Sequence, residues 1–211
     1  MEWTEKHTEE LVAEMRKMYP APECALNFGS LFQLLTAVAL SAQTTDKQVN
    51  VVTEALFRDY PDAETMAKAE PETIAGYIRR IGMYKTKARN IVETSKILVR
   101  DYGGQVPESF NELVKLPGVG RKTANVVLAV GCGVPAIPVD THVFRVSNRI
   151  GIVREKDVLK TELGLMAKLP KETWIDMHHA LIWHGRLVCK ARKPECENCG
   201  LTGICEFYSN K

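Results

Sequence analysis

A glycine-rich turn directly before a helix constrains this chain more than any other segment. Residues 116–124 read Leu-Pro-Gly-Val-Gly-Arg-Lys-Thr-Ala. Gly118 and Gly120 lack a Cβ atom, so the backbone there can adopt tight or left-handed conformations and approach a ligand closely. Amide groups in such a turn, followed by a helix N-terminus, form a concave site that suits a phosphate. The segment therefore predicts a hairpin between two helices that binds an anion beside Lys122.

Most of the remaining chain also indicates helices. Capping patterns begin at Ser30, Thr45 and Ser109, and Pro71 suits the first position of a helix. Strand signals are poor, because no stretch alternates apolar and polar residues for long. The predicted helices lie at about residues 31–40, 45–57, 71–78, 85–102, 121–131, 141–150, 157–168 and 171–187, with one before Pro20 and one after Ser109. The pattern predicts an all-α protein.

A change in composition divides the chain. Residues 131–138 contain two glycines and two prolines, all of which interrupt helices. The segment is the best candidate for a linker, and it predicts two helical lobes that meet near residue 135. A chain of 211 residues is long enough for two small domains with real cores.

The composition is that of a soluble globular protein, with 45% hydrophobic and 26% charged residues. The first residues are acidic and carry no apolar run, so no secretory signal is expected. The most apolar stretches are too short or too interrupted to span a bilayer. These features predict a cytoplasmic protein with no membrane partner.

Basic residues are distributed unevenly along the chain. The net charge is only +2, which is too small for the protein as a whole to bind nucleic acid by electrostatic attraction. Two segments nevertheless contain basic residues and no acidic one: Arg79, Arg80, Lys85, Lys87 and Arg89 in the first, and Arg186, Lys190, Arg192 and Lys193 in the second. Either segment alone fits a solvated helix face. Together with a phosphate-binding hairpin, they favour a local DNA-binding surface.

Lys122 and Asp140 are candidates for chemistry. A lysine near a helix N-terminus is unusual, because the helix dipole disfavours a cation there and so favours the neutral, nucleophilic amine. To be half-neutral at pH 7, a lysine must have its pKa lowered by a free energy of about 4–5 kcal/mol. A helix terminus contributes only roughly 0.3–2 kcal/mol of this free energy. Desolvation by a bound substrate would have to supply the rest. Asp140 is foremost an N-cap of the next helix, which is compatible with a catalytic role for the fixed carboxylate.

Four cysteines near the C-terminus form a candidate metal site: Cys189, Cys196, Cys199 and Cys205. A disulfide pair is unexpected in a cytoplasmic chain. The spacing alone fits either a structural zinc ion or a [4Fe-4S] cluster. His178, His179 and His184 precede the cysteines, but spacings of five and six do not stack two ligands on one helix face.

Two segments together resemble the endonuclease III family, which consists of helix-hairpin-helix DNA glycosylases that also act as abasic-site lyases. They are the glycine-rich segment extended to Val127 and the sequence Val-Asp-Thr-His-Val-Phe-Arg-Val at residues 139–146. Residues 40–46 and 81–88 resemble the two DNA-facing loops of that family, and the cysteine spacing matches its [4Fe-4S] site. The resemblance extends over nearly the whole chain.

The resemblance implies a fold of two helical lobes with a DNA cleft between them. One lobe would be a six-helix, barrel-like domain at residues 25–134 that contains the helix-hairpin-helix motif. The other would be a discontinuous Fe–S cluster domain at residues 1–24 and 135–211. The four cysteines would hold the cluster, which would shape a phosphate-contacting loop rather than serve in redox chemistry.

The resemblance also implies roles in base excision repair. Lys122 would attack C1′ of the damaged nucleotide, displace the base and form a Schiff base, and β-elimination would then break the strand on the 3′ side. Asp140 would be the partner carboxylate. The expected substrate is double-stranded DNA with oxidised pyrimidines or abasic sites, bound by a monomer that associates with the nucleoid.

Other residues receive roles by the same resemblance. An extruded base leaves a gap in the duplex, which Gln43 and Met83 would fill, Met83 standing where relatives often have leucine. The remaining assignments are Gly118, Val119, Gly120, Arg121, Arg192 and Lys193 for DNA contacts, and Ser41, Asp46 and His142 for the base-binding pocket.

Three alternatives compete with this interpretation. An adenine-specific mismatch glycosylase would carry a glutamate where this chain has Ala37, and it would not need Lys122. A thymine-mismatch specificity stays open, although such relatives typically lack the lysine. A non-catalytic DNA-binding module could use the hairpin, but it would leave Lys122 and Asp140 unexplained.

Overall fold

The computed structural model describes residues 2–210, and every regular element within that range is helical. This confirms the all-α prediction. The chain divides into two compact units, one of Ala25–Cys132 and the other of Met1–Cys24 together with Gly133–Lys211. No helix among the described residues is both long enough and apolar enough to cross a membrane.

Helix α1 (Glu5–Met18) precedes the unit of Ala25–Cys132. This unit contains seven helices: α2 (Leu31–Ser41), α3 (Asp46–Asp59), α4 (Ala63–Ala67), α5 (Pro71–Tyr77), α6 (Tyr84–Tyr102), α7 (Phe110–Leu113) and α8 (Arg121–Cys132). Six were predicted, and the additional one is the short helix α4. Asp62 caps it by accepting a hydrogen bond from the Thr65 amide at 2.8 Å. Ser109 precedes α7 as predicted, but its side chain makes no capping hydrogen bond.

Helices α2 and α6 border the two loops that contain Gln43 and Met83. Helix α2 is apolar on nearly all sides and is buried along most of its length, as expected for a central helix. Helix α6 is the longest at 19 residues and packs against α4 and α5. It begins after Met83 and ends at Gly103, both in the left-handed backbone region. The N-terminus of α6 and the C-terminus of α2 therefore each adjoin a short loop.

The second unit is built from α1 (Glu5–Met18), α9 (Thr141–Ile150), α10 (Val158–Lys168), α11 (Trp174–Leu187) and α12 (Glu206–Ser209), with 3-10 turns at Lys171–Thr173 and Cys196–Asn198. Its core joins side chains from most of these helices, including Leu11, Met15, Val143, Leu165 and Leu181. Helix α11 packs against α1 and α9. The cysteines follow α11 directly, so this core supports the segment that contains them.

Candidate active site and metal centre

The hairpin at residues 116–120 connects α7 to α8. The Val119 amide donates to the Leu116 carbonyl at 3.1 Å, which closes the turn, and the Val119 side chain is buried. The Thr94 hydroxyl on α6 donates to the Pro117 carbonyl at 3.2 Å. The first amides of an α-helix point out of its N-terminal end, and α8 begins directly after this turn, at Arg121. The turn and the helix start thus present backbone donors together, as a phosphate site requires.

Glycine is favoured at position 118 for two reasons. Its φ of +76° lies in the left-handed region, and a Cβ atom there would lie 2.7 Å from Nδ2 of Asn90 on α6. The hairpin backbone at Gly118 therefore packs directly on the Asn90 side chain of α6. Gly120 differs, because a Cβ atom at this residue would meet no atom within 4 Å.

We expect Gly118→Ala to lower the free energy of unfolding by about 1–3 kcal/mol, because alanine pays for both the positive φ and the contact with Asn90. Gly120→Ala is the matched control and should change stability by less than about 0.5 kcal/mol. Urea unfolding of the two variants checks this prediction. Equal stability of both variants would show that the hairpin can move away from α6.

Lys122 is the second residue of α8, and its side chain is exposed. Arg121 precedes it, with its guanidinium group 5.5 Å from the centre of the Phe110 ring. In the free protein the Lys122 side chain is therefore exposed to solvent, one turn of helix or less from the hairpin in sequence. Any desolvation of this amine has to come from a bound molecule.

Asp140 caps α9, as the sequence predicts. Its Oδ1 atom accepts hydrogen bonds from the backbone amides of His142 and Val143, both at 2.8 Å. Two amides on one oxygen fix the orientation of the carboxylate, and the second oxygen lies outside this cap. The cap therefore positions a carboxylate without using all of its acceptor capacity.

His142 lies in the first turn of α9 and is half-buried. Burial lowers the pKa of its imidazole, against the opposing effect of the Asp140 carboxylate. The ring is therefore neutral at pH 7 and can both donate and accept a hydrogen bond. Its Nδ1 atom lies 3.3 Å from the guanidinium group of Arg145, which also donates to the Gly185 carbonyl at 2.8 Å.

Three residues other than glycine have a positive φ within residues 2–210: Gln43 at 57°, Met83 at 56° and Lys193 at 51°. Such residues are uncommon, and each costs roughly 1 kcal/mol or more in backbone strain. All three are exposed, with 59% of Met83 accessible to solvent. All three also stand in the set to which the resemblance gives DNA contacts. Strain of this kind persists only where surrounding contacts hold the backbone in place.

Ser41 and Asp46 lie on either side of the loop that contains Gln43. The Ser41 hydroxyl donates to the Val38 carbonyl at 2.8 Å, so its oxygen is left to act as an acceptor. Asp46 is the first residue of α3, where a negative charge is favourable. Both side chains are half-buried. They are positioned by the ends of two helices rather than by a flexible loop.

All four C-terminal cysteines line one cavity. Apolar side chains of Ile150, Val188 and Leu201 also line it. Within residues 2–210, no three Cys, His, Asp or Glu side chains converge as the ligands of a single metal ion would. Four thiols around a shared, largely apolar space are the donor set of a [4Fe-4S] cluster.

The electrostatics of the thiols indicates that this site needs a cation. Burial raises the pKa of the Cys199 and Cys205 thiols, and the neighbouring cysteines raise both further. Four thiolates in one buried space repel each other unless cations compensate them. Iron supplies that compensation, so these residues fit the cluster that the resemblance implies.

His184 is a neighbour of the cluster site that sequence reasoning missed. The histidines at 178, 179 and 184 are all buried, and the Nε2 atom of His184 lies 3.5 Å from Sγ of Cys199. Its Nδ1 atom lies 3.1 Å from the Tyr19 hydroxyl. Burial lowers the pKa of His184 to about 4, so the ring is neutral. When the Tyr19 hydroxyl donates to Nδ1, the proton of the neutral ring lies on Nε2. The Nε2–H group can then donate a hydrogen bond to the sulfur of Cys199.

Arg149 is a second residue that sequence reasoning missed. Its guanidinium group donates to the carbonyls of Lys190 at 2.7 Å and Ala191 at 2.9 Å. It also lies 3.6 Å from the sulfur of Cys189. The loop after the first cysteine is thus attached to α9, with Arg192 and Lys193 exposed on it. This arrangement suits two basic side chains that contact phosphates.

Comparisons with known proteins agree with this arrangement. The family model of the HhH-GPD superfamily base excision DNA repair proteins matches residues 36–171. The model of the iron-sulfur binding domain of endonuclease III matches residues 189–205. The first match covers more than half of the chain, and the second begins and ends at the outer two cysteines.

Similar proteins were found among sequences and among structures. Endonuclease III of Bacillus subtilis (strain 168) is 51% identical over 201 residues, which cover 95% of this chain and 92% of that protein. Endonuclease III of Escherichia coli (strain K12) is 47% identical over 201 residues, with 94% of each chain covered. A structure of a trapped covalent intermediate between endonuclease III and DNA is 45% identical, with a TM-score of 0.93 and 99% of each chain covered.

A thermostable thymine-DNA glycosylase is also similar, at 26% identity and a TM-score of 0.87, with 98% of each chain covered. These matches confirm the resemblance that residues 116–127 and 139–146 indicated. The chain belongs to the endonuclease III family within the HhH-GPD superfamily, and it is a DNA glycosylase with abasic-site lyase activity that carries a [4Fe-4S] cluster.

Proposed function

We propose that Lys122 is the nucleophile of both reactions and that Asp140 is its partner carboxylate. The observation that carries this proposal is the position of Lys122, which is exposed in the first turn of α8 directly after the hairpin. A phosphate bound by the hairpin amides would bring the adjacent sugar towards an amine at this position. The fixed carboxylate of Asp140 supports the second assignment.

The reaction follows from the chemistry of an amine at a sugar carbon. The neutral amine of Lys122 attacks C1′ while the bond from C1′ to the base breaks, and the base leaves with the bonding electrons and takes up a proton. The attached amine then loses a proton, and its lone pair breaks the bond between C1′ and the ring oxygen, which takes up a proton. The product is a protonated Schiff base between Nζ and C1′. This group acidifies C2′, so loss of a C2′ proton expels the 3′ phosphate. Water then releases Lys122.

Asp140 acts on the charge that develops during this reaction. Attack at C1′ places positive charge on the sugar and on the amine, and a nearby carboxylate stabilises both. The same carboxylate can accept the proton that the amine loses. A carboxylate would, however, also favour the protonated form of the lysine in the free enzyme. Desolvation by bound DNA therefore has to complete the activation of the amine.

We assign the DNA contacts to the exposed and strained residues of the loops. Gln43 and Met83 fill the gap left by an extruded base, and Arg192 and Lys193 contact phosphates. In the hairpin, the backbone of Gly118, Val119, Gly120 and Arg121 surrounds a phosphate, and Val119 contributes through its position because its own side chain is buried. Ser41, Asp46 and His142 would recognise the extruded base, since each is half-buried and offers a fixed polar group.

We infer that the excised bases are oxidised pyrimidines. The test is a set of duplexes that carry a ring-saturated pyrimidine, a G·T mismatch, an adenine mismatch or a preformed abasic site, each treated with borohydride under single-turnover conditions. We expect excision and a covalent adduct with the oxidised pyrimidine, and an adduct with the abasic site. Faster excision from the G·T mismatch would instead favour a thymine-mismatch specificity.

The proposed ligands of the cluster are Cys189, Cys196, Cys199 and Cys205. Protein prepared without oxygen should contain about four iron and four sulfide per chain. Cys199→Ser should lose most of both, whereas Cys132→Ser, which alters a half-buried thiol outside the cavity, should keep them. Iron analysis and visible absorption measure the two variants. Equal iron in both variants would remove Cys199 from the ligand set.

We further propose that the enzyme acts as a monomer in the cytoplasm and associates with the nucleoid when bound to DNA. Residues 2–210 contain the hairpin, Lys122, Asp140 and the cluster site, so a single chain offers each group that the reaction uses. Sedimentation of the enzyme with and without a duplex tests the oligomeric state. A dimer on one lesion would contradict the proposal.

A further inference from the structure

Lys87 is a buried lysine in the first turn of α6. Only 7% of the residue is exposed, although lysine is almost never buried unless it is paired. Its Nζ atom donates to the carbonyls of Leu40 at 2.9 Å and Ala42 at 2.6 Å. Both carbonyls lie at the C-terminus of α2, where a cation is favourable. The sequence placed Lys87 in a basic, DNA-facing segment, but its ammonium group points into the protein.

The Ala42 carbonyl belongs to the turn that contains Gln43. The Thr44 amide donates to the Ser41 carbonyl at 3.0 Å, and Ala42 has φ −56° and ψ 117°. Together with the positive φ of Gln43, these values describe a type II turn, whose third position favours glycine or asparagine. In such a turn the central peptide is flipped relative to a type I turn. Lys87 donates to the carbonyl of this peptide and so stabilises the flipped form.

Lys87 is also joined to the second strained residue. Its backbone amide donates to the Met83 carbonyl at 3.0 Å, which is the first hydrogen bond of α6. Met83 is the N-cap of this helix and is left-handed, with φ 56° and ψ 32°. A single residue therefore contacts the turn that contains Gln43 through its side chain and the residue Met83 through its backbone.

We propose that Lys87 is a positioning residue for base extrusion, which holds the turn of Gln43 and the N-terminus of α6 as one rigid pair. The proposal rests on the assignment of Gln43 and Met83 to the gap left by the extruded base. Two side chains fill a gap efficiently only when both are fixed before the base leaves, because ordering them afterwards costs entropy. Lys87 supplies that order without contact with DNA.

Lys87→Met tests the proposal, because methionine has a similar length and no donor for the two carbonyls. Lys96→Met is the control on the same helix, where the lysine is exposed and pairs with Glu93. Single-turnover rates are measured on two duplexes, one with a damaged base and one with a preformed abasic site. Only the duplex with the damaged base requires a base to be unstacked, which costs free energy, because the abasic site has no base.

We expect Lys87→Met to slow excision of the damaged base about tenfold or more and to slow cleavage at the abasic site less than about threefold. Lys96→Met should match the wild type on both duplexes. Equal slowing on both duplexes, or no slowing, would overturn the proposal. An inactive wild type would contradict the proposed function instead.

A second variant covers the case in which Lys87→Met does not fold. Lys87→Arg keeps donors for the carbonyls of Leu40 and Ala42, but its planar group fits them differently. We expect Lys87→Arg to slow excision of the damaged base more than cleavage at the abasic site, as Lys87→Met does, but with a smaller loss of the excision rate. A proportional loss on both duplexes would assign Lys87 to stability alone.

Discussion

Lys122→Ala should abolish the covalent adduct that borohydride traps on a duplex with one abasic site. It should also slow base excision by at least about 10³-fold, which corresponds to about 4 kcal/mol of activation free energy. No other group on the first turn of α8 can replace the amine, since neither the guanidinium group of Arg121 nor the hydroxyl of Thr123 can form a Schiff base with C1′. Gel analysis of the trapped duplex and single-turnover excision measure the two effects.

The same substitution should leave the fold and DNA binding nearly unchanged. The side chain of Lys122 is exposed, and alanine is the best helix former, so we expect a change below about 0.5 kcal/mol in the free energy of unfolding. Lys115→Ala is the control, because Lys115 is exposed on the other side of the hairpin and pairs with Glu112 at 2.7 Å. It should keep the adduct. An adduct retained by Lys122→Ala would assign the nucleophile to another residue.

Local chemistry made much of the fold and site predictable. Helix starts at Ser30, Thr45 and Pro71 follow from capping rules, and each of these residues precedes or begins a helix in the structure. Asp140 was recognised as an N-cap because aspartate is a preferred residue at that position and a helix was predicted at residues 141–150. These features depend on residues within one turn of each other, so a single sequence contains the information.

Features that depend on contacts between distant residues were not predictable. Lys87 was grouped with exposed basic neighbours, because a sequence does not reveal that its ammonium group reaches two carbonyls 45 and 47 residues away. His184 and Arg149 approach the cysteines only after α9 and α11 have packed together. The positive φ values of Gln43 and Met83 were equally hidden, since neither residue type prefers that conformation.

Asp140→Asn should slow base excision by about 10²-fold or more while it leaves the protein stable. Asparagine is as good an N-cap as aspartate, so its side-chain carbonyl can still accept from the amides of His142 and Val143. The negative charge is lost, and with it the stabilisation of the positive charge that develops at C1′ and on the amine. Single-turnover excision and urea unfolding separate the two effects.

Two further variants isolate the charge of Asp140 from its structural role. Asp157→Asn makes the same change at the N-cap of α10, where the carboxylate accepts from the Lys160 amide at 2.9 Å, and it should keep full activity. Asp140→Ala removes the cap as well as the charge, and it should cost about 0.5–2 kcal/mol of stability in addition to the loss of excision. If Asp140→Asn retains normal turnover and only Asp140→Ala loses it, Asp140 is an N-cap alone, and the charge at C1′ is stabilised by another group.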